Sequence, residues 1–156
     1  MNGKPCAWAS GAAKGEVSMK ITMNSVKLVV HDLDASERFY CAMGFKVVAR
    51  NLGGEDDVRQ AQCWLSETGD RDSFVLILSR FLETPPAPPL QYPNEVWLVF
   101  MTTDVDATVR AATDNGGGVL RAGQDRPEHG VRAAVVKDPE GHIIEVVGPM
   151  YGTNPA

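Results

Sequence analysis

The sequence predicts an α+β fold in which two tandem βαβββ modules form a curved mixed sheet around a cavity. Three observations carry this prediction. Asp32-Leu33-Asp34-Ala35 recurs as Asp104-Val105-Asp106-Ala107, and the same offset of 72 residues carries Gly44 onto Gly116. Each copy follows an apolar run rich in β-branched and aromatic residues and precedes three further strand-like runs. Between the copies lies Thr84-Pro85-Pro86-Ala87-Pro88-Pro89, which can be neither helix nor inner strand. A unit of this size cannot bury its own sheet face, so the two copies are expected to pack together.

Taken in order, residues 1–19 are rich in Gly, Ala and Ser and read as a flexible tail without the apolar core of a signal peptide; Met19 and Met23 are alternative starts. A single domain then spans 20–150, with module one at about 20–80, a Pro-rich linker at 81–94 and module two at about 95–148, before a 151–156 tail. The first strand is expected at Val26 to Val30. In the helix that follows, Asp34 and Glu37 have capping-box spacing. Phe39 and Met43 share one helix face, Ala35 and Ala42 widen it, and Gly44 supplies the left-handed stop. Strands are expected at Phe45 to Arg50, Gln60 to Ser66 and Ser73 to Ser79.

In module two, Val96 to Phe100 begins the repeat. Asp104 or Asp106 caps its helix, Val105, Val109 and Ala112 face inward, and Gly116 ends it. Strands follow at Gly118 to Ala122, Val131 to Lys137 and His142 to Val147. Glu67-Thr68-Gly69-Asp70 and Asp138-Pro139-Glu140-Gly141 carry the residues that tight turns favour.

Composition narrows the partners. With 156 residues, 44% of them hydrophobic and 22% charged, the chain has ordinary globular composition, and no apolar run approaches a membrane span. A net charge of -5 without a basic cluster argues against nucleic acid and anionic membranes, leaving small molecules as the expected partners. Cys6, Cys41 and Cys63 are odd in number and lack metal-type spacing, which fits a reducing cytosol.

Leu28 to Tyr40, followed by Met43-Gly44-Phe45, resembles the first-module signature of the vicinal oxygen chelate superfamily, which includes glyoxalases, bleomycin-resistance proteins and extradiol dioxygenases. Asp138-Pro139-Glu140-Gly141-His142-Ile143-Ile144-Glu145 resembles its closing signature. With the repeat, the resemblance covers about Lys20 to Gly148 and implies the glyoxalase-like fold and a homodimer. The open edges of two half-sheets give a physical reason for the dimer. Phe39 and Tyr40 are expected to be core anchors and Asp138 and Glu140 turn residues.

In metal-dependent members of this superfamily, ligands come from the first and last strand of each module. The corresponding positions here are Ser25 and Trp97 on the first strands, and Ile77 and Glu145 on the last. Only Glu145 is a ligand-type residue, and a lone carboxylate cannot hold a divalent ion tightly, so no resident cofactor is expected. His31 and His142 are not expected to restore a metal site. His129 lies in a loop that approaches the cavity in relatives and is a candidate for substrate contact. Glu145, between Ile144 and Val146, is the candidate general acid or base, with pairing to Arg132 or another cation as the structural alternative. Burial would raise its pKa. Trp97, Ser25, Ile77 and Trp64 are candidate substrate-binding residues, with Phe74 and Tyr92 extending an aromatic lining.

Three functions are open at this level. The first is metal-free binding of a planar or aromatic molecule. The second is a metal-independent lyase or isomerase using Glu145, with His129. The third is a metal enzyme of the glyoxalase or dioxygenase type.

Overall fold

The computed structural model describes residues 23–53, 59–83 and 96–150. The expected tails, the Thr84 to Pro89 linker segment and Tyr92 lie outside them.

The repeat is reproduced element for element. Module one contains β1 (Ser25–Val29), α1 (Leu33–Ala42), β2 (Lys46–Gly53), β3 (Gln60–Ser66) and β4 (Val75–Phe81). Module two contains β5 (Leu98–Met101), α2 (Val105–Asp114), β6 (Gly118–Arg126), β7 (Val131–Lys137) and β8 (Ile143–Pro149). Each module folds into a four-stranded sheet, ordered β1-β4-β3-β2 and β5-β8-β7-β6. In each, the first strand runs parallel to the last and the hairpin strands are antiparallel. The expected α+β fold of two βαβββ modules is thus present as two four-stranded mixed sheets, and among the described residues no strand pair hydrogen-bonds across the modules.

Both helices begin on an aspartate in extended backbone. Asp32 Oδ1 accepts the Ala35 amide and Asp104 Oδ1 accepts the Ala107 amide, each at 2.9 Å. Asp34 is thus not the first cap. It already lies in the first turn, where its charge favours the positive end of the helix dipole. Glu37 completes no capping box, since Arg50 on β2 engages it. Gly44 and Gly116 take the left-handed conformation after their helices, at φ 103° and 88°.

Strand alternation divides each sheet into a helix side and an outer side. Helix α1 packs on β3 and β4, α2 packs on β6, β7 and β8, and the two helices touch. Leu65, Leu78, Val136, Ile144 and Val146 fill the helix side. Phe39 and Tyr40 are fully buried anchors of the core, as expected. The Tyr40 ring meets Phe39 and Phe100 edge-on, and Phe45 lies 5.2 Å from Phe100, so aromatic packing joins module one to β5.

Gly117 sits in this junction. A Cβ there would lie 2.6 Å from both the Lys137 carbonyl and Phe39 Cε2, and 2.9 Å from the Ala112 carbonyl. Two of these neighbours are backbone and cannot swing away. Gly117→Ala is expected to destabilise the chain by about 1–3 kcal/mol through overpacking, read as a lower urea midpoint with an unchanged slope.

Candidate functional site

The register of module two defines one row on its outer side: Arg121 on β6, Val135 on β7, Glu145 on β8 and Val99 on β5. Glu145 is part-buried and forms no hydrogen bond or ion pair with a described residue. Arg132, the cation named as a possible structural partner, is elsewhere. Arg132 pairs in the sheet with Gly148, three residues out of register with Glu145, so it points to the helix side. There its guanidinium engages Asp106 at 3.1 Å and Asp125 at 3.0 Å.

A cleft of about 340 Å³ covers this outer face, lined among others by Arg121, Arg126, Glu128, His129, Val135 and Glu145. The structure therefore brings together two residues singled out in the sequence, His129 and Glu145. His129 is carried by the β6–β7 turn, where its amide donates to the Arg126 carbonyl at 2.9 Å and Gly130 takes φ 67°. Arg121 and Arg126 were not foreseen. The β6 register slips on both sides of Arg121, between Val119 and Arg121 and between Arg121 and Gln124, and such bulges re-aim side chains without leaving a clear sequence signal.

Trp97 immediately precedes β5 and is 46% exposed. Alternation carried one residue back from β5 puts it on the Val99 side, but the cleft around Glu145 is not lined by it.

Ser25, Ile77 and Trp64 occupy the other sheet. Lys27 is paired with Ile77, and Ile77 with Trp64, so these side chains share the outer face of module one, with Ser25 two residues from Lys27. A polar relay crosses that face. The Trp64 indole donates to Gln62 at 3.0 Å, the Gln62 amide donates to Gln60, and Gln60 also accepts from Ser79 and Lys27. Arg71 lies over the Trp64 ring at 5.4 Å, which fixes the indole from its other side. Phe74 is half-exposed nearby in sequence, before β4.

The matching registers also equate the ligand-type positions of the two modules. Val99 stands opposite Glu145 as Lys27 stands opposite Ile77, an offset of 72 residues on the first strands and of 68 on the last. A hydroxyl, an aliphatic side chain, an indole and one carboxylate thus occupy the four positions. Among the described residues no group of three or more His, Cys, Asp or Glu could hold a metal ion. His31 and His142 are engaged elsewhere, with Glu140 and Asp138.

Residues 22–146 match the model of the Glyoxalase/Bleomycin resistance protein/Dioxygenase superfamily. The chain belongs to this superfamily. No curated protein matches it. Among solved structures, this superfamily fold is shared with a glyoxalase family protein from Bacillus cereus, at 20% identity over 88% of this chain and 99% of that one, with a TM-score of 0.72. The trypanothione-dependent glyoxalase I of Leishmania major aligns at 24% identity over 83% of this chain and 87% of its own, with a TM-score of 0.62. TioX from Micromonospora sp. ML1 aligns at 21% identity over 83% and 99%, with a TM-score of 0.57. The superfamily includes metal-dependent glyoxalases, and no metal-binding group is seen among the described residues of this chain.

The closing superfamily motif does more than turn the chain. Asp138 is buried, and its Oδ2 accepts the Tyr40 hydroxyl and pairs with His142 Nδ1, each at 2.8 Å. Its Oδ1 accepts the Glu140 and His142 amides. Glu140 Oε1 in turn accepts the His31 and Asp32 amides of module one at 3.0 and 2.8 Å. The turn is an inter-module clamp. Burial pulls the His142 pKa down, but the hydrogen bond and charge of Asp138, with the charge of Glu140, outweigh it and leave it raised. Burial and the Asp138 carboxylate push the Tyr40 phenol well above its usual range.

Proposed function

We propose that this chain takes a small, planar organic molecule onto the outer face of its second sheet without a tightly held metal, and that Glu145 moves a proton in it. One observation carries the reading. Glu145 pairs with no cation among the described residues, yet it shares a cleft with His129 and two arginines, which supply a base, a second proton carrier and a cationic hold on the substrate. Passive sequestration is the competing reading, favoured by the braced Trp64 indole, whose face suits stacking a flat ring.

Native mass spectrometry of untagged protein tests the proposal. The expected spectrum is metal-free and carries an organic adduct. Stoichiometric Zn, Ni, Mn or Fe would overturn it.

We also propose a homodimer in the cytosol. β1 and β5 are edge strands, and Val99 and Met101 on β5 are 56% and 75% exposed, an apolar edge that a second copy would cover. No helix among the described residues is long and apolar enough to cross a membrane. Sedimentation is expected to give twice the chain mass for the native protein and the single chain mass for Met101→Glu. An unchanged dimer in that variant would move the interface elsewhere.

A further inference from the structure

We propose that Arg121 and Arg126 form a carboxylate-binding subsite, so that the ligand of this cleft is a small organic acid lying across Val135 toward Glu145. This rests on the small-molecule reading above and adds the ligand's chemical class.

The three arginines around β6 and β7 differ in what they hold. Arg132 is saturated by Asp106 and Asp125. Gly123 makes room for that arrangement, since a Cβ there would sit 2.6 Å from Asp106 Oδ1 and 3.0 Å from the Arg132 guanidinium. Arg121 forms no ion pair with a described residue, and Arg126 donates only to the neutral Gln124, at 3.3 Å. Glu128 lines the same cleft but pairs with neither. Two guanidinium forks are thus available on the outer face, and a carboxylate can accept such a fork through both oxygens.

Position sets the ligand's length. Arg121 and Glu145 lie two strands apart in one register row, about 10 Å at ordinary strand spacing. The floor between them is apolar, with Val135 in the row and Ala133 and Val147 beside it. An acid anchored at Arg121 would therefore present a carbon several bonds from its carboxylate to Glu145, while its apolar middle rests on the valines. A second negative charge at that far end would meet the Glu145 carboxylate, which selects monoacids.

The test is a titration of the isotope-labelled full chain with benzoate, phenylacetate and 3-phenylpropionate, and with the primary amide of each, followed by backbone amide shifts. At least one acid is expected to shift Arg121, Arg126 and Glu145 and to bind about tenfold more tightly than its amide, the worth of one charge-assisted contact. Arg121→Gln should erase that preference, and Arg126→Gln should reduce it. Equal binding of acids and amides would overturn the subsite and leave the small-molecule cleft standing. If no compound shifts these residues the subsite is also overturned, and the small-molecule reading falls with it only if native spectra of the same sample carry no organic adduct.

Discussion

Asp138→Ala is expected to cost about 3–5 kcal/mol of folding stability, the penalty for stranding partners of a buried, fully engaged carboxylate. The fully buried Tyr40 hydroxyl, the His142 ring and two backbone amides all converge on this carboxylate. Removing it leaves them unsatisfied at the seam between modules, so the loss should fall on the docking of the two halves. Urea unfolding followed by tryptophan fluorescence measures it, and a loss below about 1 kcal/mol would show that the clamp is not structural.

The same cluster links stability to pH. His142 has a raised folded-state pKa, so its pair with Asp138 stabilises the fold fully below the unfolded histidine value of about 6.5. That contribution is lost as pH rises through the raised folded value. Comparing the native chain with His142→Asn across this range should show an advantage for the native protein that shrinks on the alkaline side.

Glu145→Gln is expected to fold as the native chain does, with stability changed by no more than about 0.5 kcal/mol, because no described residue pairs with the carboxylate. Its chemistry should not survive. Glutamine keeps the size and a hydrogen-bonding carbonyl but cannot take up a proton, so proton transfer should slow by about two to four orders of magnitude. Solvent deuterium incorporation into phenylpyruvate, a monoacid with an acidic C–H beside its ketone and a planar enol, reads this directly. Loss of exchange with binding retained assigns Glu145 as the base. Equal exchange in both proteins would leave the cleft a binding site only.

Much of this molecule was legible in one dimension. The 72-residue repeat, the cap-to-glycine spacing of both helices and the turn residues placed all ten elements, and β3 and β7 have the expected ends. These features depend on local periodicity and backbone preference, which neighbouring residues carry by themselves.

The tertiary structure decided the rest. Asp138 and Glu140 read locally as turn formers, yet their side chains reach Tyr40, His31 and Asp32 about a hundred residues away, a pairing no local pattern encodes. Arg132 was one cation that could have paired with Glu145, but strand alternation sent it to the opposite face. Arg121 entered the cleft through two register slips that the β6 sequence does not announce. The sequence by itself determined the modules and the superfamily, because identity and spacing suffice for these. Which charges meet and which stand free depended on three-dimensional register, where a shift of one residue reverses the face of a side chain.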